Sequence, residues 1–345
     1  MTLASPRQRD QPAEWSGTDA PGEADRVAAD FVSRLADRTT AANATAANTT
    51  VTNATAANAA AAHTTVTRNP TAARTTHVGP ITDRSTAEHP SSVRSAADHT
   101  QADRMQAQRV QADHATAERF RCPTTFGAGG SEPYAQALQG ADNVLYLHGH
   151  HPDADPGTPA QVSTMQAGRW SADADAIDRS LLAGVGGPVL DIGCGPGRMI
   201  QAAIDEGLDA LGVDVSPTAV RIALAAGLAV LEGSVFDTIP QEGSWATLLL
   251  VDGNIGIGGD PDALLDRCAA LLSADGILVV EAHRDPEHDL VYVGTLHDSA
   301  GNASDAFPWA EIGVSALRRR AAKVGLVPVA EWTTGGRSFV RLARA

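Results

Sequence analysis

The chain has 345 residues, 43% hydrophobic and 4% aromatic, with 26 Lys+Arg against 41 Asp+Glu and a formal charge of −15. That acidic balance speaks against a nucleic-acid backbone or an anionic membrane as partner. Three cysteines make no disulfide framework, no apolar run approaches the ~18 residues of a membrane span, and no basic-then-apolar leader opens the chain, so a cytoplasmic location is expected.

Residues 1–121 carry 13 Arg and 13 Asp+Glu, so the whole formal charge of −15 sits on residues 122–345. The first part is mostly Ala, Thr, Asn, Arg and His. Val27, Phe31 and Leu35 share one face of a short helix, expected to be transient in a tail. From Ala42 a small residue recurs every fifth position, often followed by Asn or Asp, as at Asn43, Asn48, Asp98 and Asp103. The pattern resembles the pentapeptide-repeat β-helix, whose interior takes Leu or Phe at the next position. Here that position carries Arg84, His89, Arg94, His99 and Arg104, and charged groups do not fill a dry core unpaired. Residues 1–121 therefore read as a disordered tail of tandem repeats with no identifiable protein partner.

Residues 122–172 read as a lead or cap segment. Val144–Leu147 looks like a strand, followed by a Gly/Pro/Asp loop holding His148, His150, His151, Asp153 and Asp155. Ligands on a loop lack the rigid spacing of a metal site, so a solvated turn and no metal are expected.

From Asp173 onward strands and helices alternate. Residues 177–182 read as a helix, 188–192 as a strand, 198–206 as a helix and 210–214 as a strand. Ser216 caps a helix with Pro217 at its first position. Strands follow at 228–231 and 246–251, a helix at 261–272 capped by Asp260, and a strand at 276–281. The last elements are a helix at 314–324 and strands at 326–332 and 338–342 joined by Gly335-Gly336. Central strands apolar on both faces imply an α/β fold: a Rossmann-like, seven-stranded, mostly parallel sheet with helices on both faces and a C-terminal antiparallel strand pair. Such sheets bind ligands beyond the carboxyl ends of their strands.

The sharpest motif is Val189-Leu-Asp-Ile-Gly-Cys-Gly-Pro-Gly197, a strand running into three alternate glycines and then a helix. Glycine permits the tight turn and close approach of a ligand to the backbone. The dinucleotide fingerprint wants glycine where Arg198 stands, and no Lys-Ser/Thr pair makes a P-loop. The stretch resembles motif I of class I S-adenosylmethionine-dependent methyltransferases, and the likeness continues through residues 189–345. It extends to actinobacterial methyltransferase-domain proteins that share the loop Gly253-Asn-Ile-Gly-Ile-Gly-Gly-Asp260.

The resemblance implies S-adenosyl-L-methionine as cofactor and a small-molecule methyl acceptor. It places Asp191, Gly193, Cys194, Gly195 and Gly197 around the methionine end, and Asp214 with Val215 at the ribose. Ser234, Val235 and Phe236 would flank the adenine, with Ser234 standing where the family commonly has Asp; Asp237 is a candidate for the displaced acid. Asp252, Gly253 and Asn254 would lie beside the transferring methyl. An acidic site suits the sulfonium and ammonium groups, and a carboxylate suits a ribose diol. Arg169 and Trp170 would form a lid, and Phe307, Pro308 and Trp309 would line an acceptor pocket. A base is needed for hydroxyl or protonated-amine acceptors. His283 is the candidate, with His288, His297, Glu281 and Asp285 behind it. The loop after the fourth strand lacks the Pro-Pro-aromatic motif of base-modifying relatives, which again marks down nucleic acid. The alternatives are a catalytically silent cofactor-binding protein on the same fold and an NAD-dependent oxidoreductase.

Overall fold

The computed structural model describes residues 22, 24, 26–35, 125–127, 133–140, 144–150 and 161–345, all within one compact unit. The pentad repeat and His151, Asp153 and Asp155 lie outside them.

The main sheet has seven strands. In chain order these are β3 (Val189–Ile192), β4 (Ala210–Asp214), β5 (Val230–Glu232), β6 (Trp245–Leu250), β7 (Leu272–Ala282), β10 (Leu326–Thr334) and β11 (Arg337–Arg344). Their spatial order is β10-β11-β7-β6-β3-β4-β5. β5, β4, β3, β6 and β7 pair in parallel, and β11 and β10 are antiparallel. The strand order reverses at β3, so its carboxyl end opens a crevice toward the ends of β4 and β6. Every residue of β3 and β4 is buried, as expected of parallel strands covered on both faces.

Alternate strand residues feed two cores. Leu190, Leu211, Leu248 and Leu278 face the helices α7 (Pro261–Leu271) and α8 (Val314–Lys323). Val189, Ala210, Leu249 and Val279 face α4 (Ala176–Leu181), α5 (Arg198–Asp205) and α6 (Pro217–Ala225). The caps at Ser216 and Asp260 form as the sequence requires: Ser216 Oγ accepts from Ala219 N–H, and Asp260 Oδ1 accepts from the Asp262 and Ala263 amides.

The helix α1 over residues 26–35 departs from the expectation of a transient turn. Ala28, Phe31 and Leu35 are buried in the first core, and Phe31 stacks on Trp245 with ring centroids 6.5 Å apart. Tertiary burial stabilises a helix too short to persist alone.

A second sheet was not legible. It is fully antiparallel, in the order β2-β1-β8-β9, with β1 at Val144–His150, β2 at Gln161–Gln166, β8 at Asp289–His297 and β9 at Phe307–Ile312. It corrects two expectations. His148 and His150 lie on β1, paired with Thr295 and Val293, and not on a loop. The region 283–312, to which the sequence reading assigned no strand, supplies two of the four strands. One face buries Leu145, Leu147, Tyr292, Leu296, Phe307 and Trp309 against α2 (Pro133–Leu138) and the short α3 (Ala167–Trp170). β9 also lies against the turn Asn254–Gly259 that follows β6. A side chain at Gly259 would meet Pro308 Cβ at 2.7 Å, and one at Gly256 would collide with the Trp309 indole, so glycine lets the two sheets meet.

Candidate active site

The carboxyl end of β3 turns through Gly193, Gly195 and Gly197 with φ of 70°, 55° and 98°. The turn is tied down from both sides. Gly193 and Cys194 amides donate to Val213 O at 2.8 and 3.2 Å. Asn254 Nδ2 donates to Ile192 O at 2.8 Å and Gly193 O at 3.0 Å. Asp214, at the end of β4, accepts from Gly195 N–H and Ser216 N–H, each at 2.8 Å. Burial raises its pKa, against those amide bonds and a third from Val215. Each of its oxygens retains lone-pair capacity after the amide bond.

Behind the turn lies a network of three guanidiniums and three carboxylates. Asp178 accepts from Arg198, from Arg337 at 2.7 Å and from Arg169 at 2.9 Å. Arg198 also donates to Asp252, and Arg337 to Glu281 at 2.6 and 2.7 Å. Burial works to raise the Asp178 pKa, but the bonds from Arg337 and Arg198 outweigh it and hold the group at about 2. Asp191 has the opposite environment. Burial and the nearby Asp252 and Asp214 charges push it to about 7, with Arg198 opposing. Arg198, whose place in the sequence only broke the dinucleotide pattern, is thus half of a buried ion pair.

The loop after β5 is shaped by its own side chains. Asp237 Oδ2 accepts from Ser234 N–H at 3.0 Å and Ser234 Oγ from Phe236 N–H at 3.2 Å. Arg267 holds the Val235 and Asp237 carbonyls at 2.8 and 2.7 Å. Asp237 therefore closes its own turn and does not face the crevice.

These elements surround an open cavity of about 1110 Å³, the solvent at its mouth included. All the residues expected around the cofactor line it except Gly197 and Gly253, whose left-handed backbones shape the adjoining turns. Trp170 and Trp309 line it too. Arg169 does not: it is anchored in the ion network instead of forming a lid. Among the lining residues that sequence reasoning missed are Phe126, Tyr134, Met165 and Ile257. Phe126 lies 5.0 Å from Tyr134, 5.2 Å from Trp309 and 6.4 Å from Trp170 between ring centroids. In a chain with only 4% aromatics, Phe126 and Tyr134 in the lead segment were the available signal.

His283 is not brought to the cavity, and neither are His288, His297, Glu281 or Asp285. His283 pairs its amide with Ile312 O at 2.8 Å, as β7 continues into a bridge with Gly313. Its Nδ1 accepts from Asp285 N–H at 3.1 Å, and its ring stacks on His288 at 4.0 Å. His283, His288 and Glu311 are near enough to be considered as metal ligands. The ring-nitrogen lone pairs lie in the ring planes, however, and stacked rings direct them side by side. Glu311 already accepts from Tyr292 OH at 3.0 Å.

The doubly wound sheet, reversed at β3 with an acid ending β4 and a C-terminal antiparallel pair, belongs to the class of open α/β folds whose ligands sit at the switch point. Residues 189–276 match the family model described as "Methyltransferase domain", so this segment of the chain is a methyltransferase domain. No curated protein matches the chain. Among solved structures it is similar to an S-adenosylmethionine-dependent methyltransferase from Bacteroides fragilis in complex with S-adenosyl-L-homocysteine. That pair has 18% identity and a TM-score of 0.50, covering 61% of this chain and 92% of that one. It is similar also to the CcbJ methyltransferase from Streptomyces caelestis, with 14% identity, TM-score 0.41, and 51% and 92% coverage. No helix among the described residues is long and apolar enough to cross a membrane.

Proposed function

We propose that this domain binds S-adenosylmethionine across the ends of β3, β4 and β5 and transfers its methyl to a small-molecule acceptor by in-line displacement. The observation that carries the reading is Asp214. It is 8% exposed, lines the cavity and is braced by two backbone amides, which suits it to accept from a ribose diol. The other residues fit the same group. Asp191 and Asp252 give the inner wall the acidity a sulfonium and an ammonium require, and the glycine turn admits a ligand against the backbone. When bound, S-adenosylmethionine supplies an electrophilic methyl on sulfur.

The chain's own residues do the positioning. Asn254 fixes the glycine turn to the loop after β6, and the Arg198–Asp252 pair holds that loop to α5. The aromatic wall excludes water from the acceptor side. Aligning and desolvating the nucleophile provides much of the rate in such a displacement. The expected location is cytoplasmic. The test is calorimetric titration of S-adenosylhomocysteine into the full chain and into Asp214→Ala. Micromolar binding that the substitution weakens at least tenfold, about 1.4 kcal/mol, supports the reading. No heat from a folded wild-type chain overturns it.

A further inference from the structure

The cavity has two unlike walls. Its charged lining residues, Asp191, Arg198, Asp214 and Asp252, all come from the ends of β3, β4 and β6 or the start of α5. Among the described residues, the opposite wall, built around Phe126, Tyr134, Met165, Trp170 and Trp309, is aromatic and apolar apart from Thr125, and the Tyr134 phenol is its one ionisable group. Five of the chain's aromatic residues (6 Phe, 5 Trp and 3 Tyr in all) line this one cavity: Phe126, Tyr134, Trp170, Phe236 and Trp309. Four of them form a packed set. Phe126 touches the other three, and Tyr134 meets Trp170 edge-on at 5.5 Å and 60°. Edge-to-face packing of this kind holds each ring in place, so the slot is preformed. The wall also adjoins the glycine turn: a side-chain carbon at Gly195 would lie 3.4 Å from the Tyr134 hydroxyl.

We infer that the acceptor is an uncharged planar aromatic compound bearing a nucleophilic nitrogen, received by the wall of Phe126, Tyr134, Trp170 and Trp309. The inference rests on the cofactor reading above. Arg198, on the polar wall, is already paired with Asp178 and Asp252, and no other arginine or lysine lines the cavity among the described residues, so a carboxylate or phosphate finds no unpaired cation there. Flat rings gain most from a wall of flat rings, by offset or edge-to-face contact. No histidine or lysine lines the cavity among the described residues, and its carboxyls, Asp191 included, lie on the polar wall, so the aromatic wall itself offers the nucleophile no base. An aromatic amine or ring nitrogen reacts without one and an alcohol does not. In the step, the nitrogen lone pair bonds to the methyl carbon as the carbon–sulfur bond breaks. Sulfur keeps that electron pair and becomes a neutral thioether. The positive charge passes to nitrogen, which sheds a proton to water where it carries one.

The experiment titrates 6-aminoquinoline, quinoline-6-carboxylate and cyclohexylamine into the full chain at pH 8, with and without saturating S-adenosylhomocysteine. 6-Aminoquinoline should bind at least tenfold tighter than the other two. Trp309→Leu and the half-buried Trp170→Leu should each weaken it tenfold or more, with Trp309→Phe within threefold of wild type. If Trp309→Leu does not melt cooperatively, Trp170→Leu decides. Equal or tighter binding of the carboxylate or of cyclohexylamine overturns the inference, as does undiminished binding by a folded Leu variant or no binding by any probe. The two readings fail separately. S-Adenosylhomocysteine bound without 6-aminoquinoline removes the aromatic slot alone. Tryptophan-dependent 6-aminoquinoline binding by a chain that does not bind S-adenosylhomocysteine removes the cofactor reading and leaves the slot as an aromatic-binding site with no methyl to accept.

Discussion

The two sheets meet at one cavity and are built on opposite terms. The seven-stranded sheet buries both faces, so its chemistry is confined to strand ends, where Asp214 is held by backbone amides, Asp252 by guanidiniums, and Asp191 lies buried beside them. The four-stranded sheet buries one face, and it contributes the uncharged ring of Trp309 through that face. A strand end has amides to stabilise a charge, whereas the middle of a packed sheet face has its amides committed to the ladder. One fold therefore gives a polar wall and an apolar wall without either invading the other.

The sharpest way to break this contrast is to unbalance the charges behind the polar wall. Arg337→Ala leaves Asp178 and Glu281, 1% and 15% exposed at the side chain, short of a partner, and removing one member of a buried pair costs about 3–5 kcal/mol. Urea unfolding should show that loss. Asp191→Asn probes the same wall through pH. The folded pKa of about 7 exceeds the ordinary 3.8, so the carboxyl's contribution is fully present below about pH 3.8 and fades as pH rises through 7. Between pH 5 and pH 8 the wild type should lose about 2 kcal/mol relative to Asp191→Asn, read from paired denaturation curves at the two pH values. A pH-independent difference would place the charge in water. The smallest effect belongs to the outer face of the other sheet. Val162→Ala, 53% exposed on β2, should shift stability by less than about 0.5 kcal/mol, and a larger loss in thermal melts would mean that this face is covered.

What was legible follows the same division. Parallel strands announce themselves as continuous apolar runs, as in Val189-Leu-Asp-Ile192 and Thr247-Leu-Leu-Leu-Val251, and glycine spacing marked the turn after the first of them. The candidate residues of the polar wall could therefore be named from sequence down to Asp214 and Asn254, both of which line the cavity. The second sheet has no such runs. Gln161-Val-Ser-Thr-Met-Gln166 and Phe307-Pro-Trp-Ala-Glu-Ile312 carry weak alternation, and β1 pairs with β8, far along the chain, from Tyr146↔His297 to His150↔Val293, a pairing that local pattern does not encode. The aromatic wall was visible only as separate rings. His283 was mistaken for a base because it follows a strand end. The strand in fact runs on into a bridge with Gly313, which turns the ring to His288. α1 was undervalued because its apolar face is short, and its burial depends on Trp245, distant in the chain.

The thiol of Cys194 gives the site an internal clock. It packs over Gly212, which has no side chain to displace it, and is 7% exposed. Burial, with the Asp214 and Asp191 charges behind it, pushes its pKa well up, so the folded turn offers an electrophile almost no thiolate. Alkylation of this one sulfur therefore counts excursions in which the glycine turn opens, and its rate against reagent concentration separates how often from how long. A ligand that binds only the closed turn slows the count by the factor 1 + [L]/Kd. Mass spectrometry of a single peptide would then measure occupancy without a label, an acceptor or turnover.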